Sequence, residues 1–163
     1  MTAKPAPHLT DVTGPYWEAA RKGTLQLQRC LPCRAIVHYP RRWCPHCWST
    51  TLEPIDASGK GAVVSFTIVH QPPDDSFGHD TPYVLAIVQL AEGPTMLANV
   101  TGPDAMDVRI GDPVQVRFEM RRIGLVVPQF ELRMKRGPTP MLGKPALQIA
   151  HVKPPKKARK KRT

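Results

Sequence analysis

Four residues in this chain have the type and spacing to do coordination chemistry: Cys30, Cys33, Cys44 and Cys47, the only four cysteines in 163 residues. They fall as CxxC, ten intervening residues, CxxC. A CxxC turn sets two thiolates on one side of a tight loop, and two such loops brought together offer four sulfurs to one tetrahedral metal ion. Pro32 and Pro45 lie inside the loops, where a fixed φ helps hold the turn. Arg29, Arg34, Arg41 and Arg42 stand around the cysteines and are expected to lower the thiol pKa values and offset the charge of a tetrathiolate site. Four thiolates close the shell, so the ion, read as one structural zinc, builds the protein rather than binding substrate. Such an ion supplies on the order of 10 kcal/mol of apparent binding energy to local folding.

Other uses of the same thiols compete with this one. Paired disulfides would need an oxidising compartment, and no secretory signal is seen in the sequence. A thioredoxin-like redox site needs one CxxC opening a helix after a strand, whereas two copies stand close together here. An iron site of rubredoxin type uses the same ligand set, so spacing alone leaves zinc and iron open. His38 and His46 lie near the cysteines, but with the shell full they read as supporting or surface residues. Trp43 and Trp48 flank the second CxxC and read as covers for the metal loop.

Catalytic chemistry finds no comparable pattern. Ser65, Ser76, His70 and His79 are unaccompanied by a nucleophile or base motif, and the thiols are committed to metal. His79 and Asp80, in the loop before Tyr83, read as ordinary polar loop residues. No catalytic residue is assigned, and the chain reads as not an enzyme on its own.

The formal charge of +10 is concentrated at one end. From His151 to Thr163 the chain carries seven of its 23 basic residues and no acid, leaving 16 basic against 13 acidic in the rest. The body is therefore nearly neutral, and the segment HVKPPKKARKKRT lacks the apolar content to pack, so it is expected to be disordered. No apolar run approaches the roughly 20 residues of a membrane-spanning helix, and the expected location is the cytoplasm.

The elements that position the cysteines follow from periodicity. With 19 prolines and 11 glycines, short strands and turns are favoured over a helical bundle. Residues 1 to 10 read as a loose leader. Asp11 to Lys22 predicts a short helix, with Asp11 or Thr13 as cap, Pro15 in the first turn and Gly23 at the end. Its apolar side, Tyr16, Trp17, Ala19 and Ala20, needs a partner surface: either the metal loops or another subunit. Thr24 to Arg29 alternates as a strand entering the first CxxC, and Ile36 to Tyr39 returns.

Beyond Leu52 the pattern is that of a small barrel. A turn at Gly59-Lys60-Gly61 leads to a strand with Val64, Phe66 and Ile68 on one face. Gln71 to Asp80 reads as a loop. Pro82 to Leu90 is apolar on both faces, as in a buried central strand, and Thr95 to Val100 returns. Asp104 to Ile110 suits one helical turn. In Pro113 to Arg121, Val114, Val116, Phe118 and Met120 point one way. Leu125 to Arg133 puts Val126, Phe130 and Leu132 inward, with Pro128 marking a bulge or an edge. Five short strands of this kind fit an OB-fold.

Several stretches carry a family resemblance: GPYWEAARKGTLQLQRC, YPRRWCPHC, SGKGAVVSFTIVH, TPYVLAIVQLAEGP and VRIGDPVQVRF. In this order they resemble acyl-CoA-associated proteins that join a rubredoxin-like zinc ribbon to an OB-fold and occur as small partner subunits of thiolase-like enzymes. The resemblance implies a mainly β architecture: a leader and N-terminal helix over 1–23, a four-cysteine zinc ribbon over 24–51 and a five-stranded OB-fold barrel over 52–137. The proline-rich and basic tail over 138–163 lies outside the matching stretches. It further implies a noncatalytic accessory subunit, in a hetero-oligomer with a thiolase-like enzyme of lipid or steroid metabolism, that helps shape the acyl-CoA site. Arg34, Arg41, Arg42 and Lys60 are the candidate contacts to coenzyme A phosphates, because guanidinium and ammonium groups suit phosphate.

A second reading is a single-stranded nucleic-acid-binding protein, since zinc ribbons and OB-folds both serve that role and the tail would add salt-dependent affinity. It needs aromatics on an exposed strand face. Phe66, Phe118 and Phe130 fall on apolar faces, which leaves Tyr83 and Phe77.

Overall fold

The computed structural model describes residues 4–122 and 124–133. The expectations for the proline-rich exit and the basic tail fall beyond Arg133, outside the described residues. Among the described residues no helix is long and apolar enough to cross a membrane.

One short helix, α1 (Gly14–Arg21), starts with Pro15 in its first turn and is followed by Gly23 at φ 79°. Only glycine adopts that left-handed turn without cost. The helix begins directly after Thr13, one of the two expected caps, although the Thr13 side chain makes no capping hydrogen bond to it. Instead Thr13 exchanges hydrogen bonds with Thr10, donating N–H to the Thr10 hydroxyl at 3.1 Å and accepting from Thr10 N–H at 3.0 Å. Tyr16, Ala19 and Ala20 are buried and Trp17 packs partly against the core. The face finds its cover within the chain, on the last strand of the barrel and on the first strand of the ribbon.

The ribbon is a three-stranded antiparallel sheet with β1 (Gln26–Cys30) between β2 (Ile36–Val37) and β3 (Leu52–Asp56). β1 pairs with β2 through Gln28↔Val37 and Arg29↔Ile36, and with β3 from Gln26↔Asp56 to Cys30↔Leu52. The chain then enters a closed barrel made from β4 (Lys60–Val69), β5 (Tyr83–Leu90), β6 (Thr95–Thr101), β7 (Pro113–Arg122) and β8 (Leu125–Leu132), in the order β4-β5-β6-β8-β7. The β6 and β8 strands are parallel, through Val100↔Phe130, and this pairing closes the sheet. The expected mainly β, OB-like barrel behind a ribbon is what forms.

Two close backbone approaches explain the glycines at the barrel entrance. Gly59 sits at φ 71°, and an added Cβ would lie 2.2 Å from Val116 Cγ1. At Gly61 it would lie 2.6 Å from Val88 Cγ1 and 2.7 Å from the Gln89 carbonyl oxygen. Lys60 between them is the first residue of β4 and is exposed.

Three side-chain directions differ from the sequence pattern. In β4 a bulge between Val63 and Ser65 shifts the register, so Val63 is 2% exposed and points inward while Val64 is 47% exposed. A bulge adds one residue to one strand and inverts every face assignment before it. β5 buries only Val84, Ala86, Val88 and Leu90; Leu85 and Ile87 face outward, and Ile87 is 41% exposed. Met120, expected inward, is 71% exposed, beside a second register shift between Met120 and Arg122. Pro128 causes no bulge. The β7–β8 ladder runs unbroken through Phe118↔Pro128, and Pro128 lies just before the β6 pairing begins at Phe130, where a missing N–H leaves no ladder bond unmade.

The main core runs through both parts. Val63, Val88, Val100, Val114 and Phe130 from the barrel share one buried cluster with Tyr16, Leu25 and Leu27. The Ala57 N–H donates to the Leu25 carbonyl at 2.8 Å, which ties the chain leaving β3 back to the residue before β1.

Candidate metal centre and its flanking clefts

Each CxxC segment folds by the same local rule. The Arg34 N–H donates to the Cys30 carbonyl and the Trp48 N–H to the Cys44 carbonyl, both at 2.9 Å. Arg34 and Trp48, each one residue past the second cysteine, sit at φ 63° and 62°. The Cys30 and Cys44 N–H groups donate to Ala35 and Ser49, again both at 2.9 Å. A side chain in the left-handed region costs roughly 1–2 kcal/mol, and here it is accepted twice to aim both thiols of each turn at one point. Trp43 and Trp48 are 54% and 78% exposed, so neither is buried over the metal loops as a cover would be.

The two turns place all four sulfurs within 4.8 Å of one another. Cys30 and Cys47 approach to 3.5 Å between sulfurs, and Cys33 and Cys44 to 3.6 Å. Metal–sulfur bonds of about 2.3 Å in a tetrahedron put sulfurs roughly 3.8 Å apart, so the residues fit one metal ion. The cysteines are free thiols, with Cys30 and Cys44 buried and Cys33 and Cys47 exposed. Neither His38 nor His46 joins the cluster. The His46 N–H instead donates to the Cys44 sulfur at 3.4 Å.

The thiols are tuned by the backbone and by each other. The amide N–H of Cys33 pulls the Cys30 thiol down, but burial and the neighbouring thiols outweigh it and push it up to about 12. Burial pushes the Cys44 thiol up, yet the N–H groups of His46 and Cys47 and the adjacent thiols bring it to about 6. A metal ion removes this competition because it binds thiolates and releases their protons. Two of the four arginines expected to depress the thiols are engaged in ion pairs: Arg29 with Glu53 at 3.7 Å, and Arg42 with Asp11.

Of the phosphate candidates, Arg41 and Arg42 stand together on one cleft of about 490 Å³ between α1, the ribbon sheet and Trp43. Arg34 holds its left-handed turn position, and Lys60 begins the barrel; neither lines that cleft. His79 and Asp80 lie in a 3-10 turn (Asp75–Asp80), where Asp80 pairs with Lys4. Lys4 also lies 5.6 Å from the Phe77 ring centre, so the leader from residue 4 onward is tied down rather than loose.

His38 is a group whose surroundings the sequence does not disclose. Its ring packs against Tyr39 at 4.0 Å and Tyr16 at 6.1 Å, and neither ring nitrogen has a hydrogen-bond partner. Burial lowers its pKa to about 4, opposed by a backbone contact at Thr95 and assisted by Arg41. The same burial, with Tyr39 nearby, raises the Tyr16 hydroxyl.

A four-thiolate ribbon leading into a closed five-stranded barrel defines a class of metal-supported two-part proteins. Family models match both parts, "ChsH2, rubredoxin-like zinc ribbon domain" over residues 17–53 and "ChsH2, C-terminal OB-fold domain" over residues 55–119. The chain belongs to this ChsH2/DUF35 family, and its cysteine cluster is the zinc site of that ribbon.

A "DUF35 domain-containing scaffold protein" of Methanothermobacter thermautotrophicus is 30% identical over 115 residues, which are 70% of this chain and 86% of that protein. A "Probable enoyl-CoA hydratase alpha subunit" of Thermomonospora curvata is 34% identical over 127 residues, 78% of this chain but 39% of that protein. The chain thus spans about two fifths of the length of that relative. Among solved structures, a chain of the "Ltp2-ChsH2(DUF35) aldolase" matches at a TM-score of 0.71 and 32% identity, over 79% of this chain and 100% of that one.

Proposed function

We propose that this chain is a noncatalytic accessory subunit that binds a thiolase-like acyl-CoA enzyme, of thiolase or aldolase type, and helps form its acyl-CoA site. The observation that carries the reading is the match of 79% of this chain to the full length of a chain named as part of an aldolase. Relatives named as a scaffold and as a hydratase subunit support the same role. The chemistry of the site agrees with it. A closed four-thiolate ion offers no position to a substrate, and all the thiols of the chain are gathered in that cluster.

In this reading Arg41 and Arg42 meet coenzyme A phosphates from the cleft beside the ribbon, with Arg34 and Lys60 as outlying contacts. Carbon-carbon bond formation or cleavage is carried out by residues of the partner enzyme. The test is co-purification from the native host, followed by thiolysis and retro-aldol assays with and without this chain. A stable partner whose activity depends on the chain is expected. Unchanged partner activity with no stable complex would overturn the reading, as would turnover of an acyl thioester by the purified chain alone.

A further inference from the structure

We propose that the outward face of β5 and β6 is a binding site, on this chain alone, for an apolar molecule that carries a carboxylate head. The inference rests on a second cleft, of about 510 Å³, and not on the accessory-subunit reading. Its floor is the outer side of the barrel, where Leu85, Leu97 and Val127 are brought together. Its walls come from other parts of the chain: Trp17 of α1, Phe77 of the 3-10 turn, and Pro5 and Pro7 of the leader. Volume and lining both suit a small molecule, since such sites run to a few hundred Å³ of mostly apolar and aromatic surface with a few convergent polar groups. The second and third strands of an OB-fold, with the loops beside them, are also where that fold holds its ligands.

The polar groups gather at one end. Arg121, Asn99 and Gln129 all line the cleft, and Arg121 and Asn99 also border an adjoining cleft. Among the described residues Arg121 is the only charged one in the lining, and its side chain is 16% exposed. Its Nε makes no hydrogen bond, and it forms an ion pair with Glu119 at 3.8 Å. Gln129 is 3% exposed and its side-chain Oε1 accepts from the Asn99 backbone N–H at 3.1 Å, which fixes that amide at the cleft. A guanidinium largely removed from water, held by one long ion pair and with its Nε making no hydrogen bond, has capacity for a further anion, and the planar fork suits a carboxylate. Among the described residues, one cation and an apolar floor do not make the basic groove that a nucleic-acid backbone requires.

The test uses the full zinc-loaded chain, with decanoate and the uncharged decanol as probes, followed by titration calorimetry and by amide spectra of Asn99 and Gln129. Saturable decanoate binding is expected, with shifts on both side-chain amides. Leu97→Glu, at a position 51% exposed and so tolerant of change, should abolish binding of both probes. Arg121→Gln should weaken decanoate by about tenfold or more, the worth of a charge-assisted hydrogen bond, and leave decanol within about twofold. Unsaturable partitioning, equal losses of both probes in Arg121→Gln, or decanoate binding that survives Leu97→Glu would each overturn the proposal.

Discussion

The side chain of Gln28 brackets the backbone of Arg41: its amide nitrogen donates to the Arg41 carbonyl at 3.2 Å, and its amide oxygen accepts from the Arg41 N–H at 2.8 Å. The pair imitates one rung of a β-ladder where no strand is present, and it sets where the second cysteine turn begins. Each bond contributes about 0.5–1.5 kcal/mol net. Gln28→Ala should therefore lower the unfolding free energy by about 1–2 kcal/mol, seen as a lower denaturant midpoint with unchanged slope. A midpoint equal to that of the parent would show that the bracket adds nothing.

One zinc ion per chain is expected by elemental analysis, and Cys44→Ser should bring the ratio toward zero. Chelation should unfold the ribbon, because the cluster at that end holds little besides Cys30, Cys44 and Val37. Apparent binding energy on the order of 10 kcal/mol is at stake. Cobalt substitution gives a second readout, since thiolate-to-cobalt bands appear only if the sulfurs ligate. A chain that keeps its amide spectrum unchanged after the metal is stripped would contradict this account.

His38 should make stability depend on acid. Its pKa is lowered to about 4 in the fold from an ordinary 6.5, so the unfolded chain takes up a proton first as pH falls. Stability is fully present above about 6.5 and declines between 6.5 and about 4, by up to about 3 kcal/mol. Acid also displaces the metal, so the comparison is with His38→Phe, which should lack this part of the loss, so that the parent loses more stability than the variant as pH is lowered. Parallel stability curves for the two proteins between pH 7 and pH 4.5 would rule the effect out.

The bulge in β4 makes neighbouring valines unequal. Val63→Ala should cost about 2 kcal/mol or more, because a fully buried side chain leaves a cavity, whereas Val64→Thr should change stability by less than about 0.5 kcal/mol. Thermal melts of the two variants decide this directly. The reverse order would restore the alternation that the sequence suggests.

That reversal shows where the sequence speaks clearly and where it does not. The cysteine spacing is a local signal, because three bonds and one turn bring each pair together, and the cluster forms as the spacing predicts. The five barrel strands are legible for a related reason, since Val114 and Phe130 mark inward faces through a period of two. Face assignments fail where an extra residue enters a strand, as at Val64 and at Met120, because nothing in the residue types announces a bulge. Leu85 and Ile87 look like burial on both sides of β5, although Leu85 lines an open cleft and Ile87 is exposed. The strand at Leu52–Asp56 is obscured by Pro54, which pairs opposite Gln28 within the ribbon sheet. The pairing of Lys4 with Asp80 joins positions 76 residues apart, and no periodicity reaches that far.

The single interior shared by Leu25, Leu27 and the barrel valines has a mechanical consequence. Ribbon and barrel cannot swing as beads on a string, because any hinge between them would open apolar surface to water. The molecule behaves as a stiff bracket of fixed span. Whatever grips its metal end is held at a set distance and angle from whatever rests against the barrel.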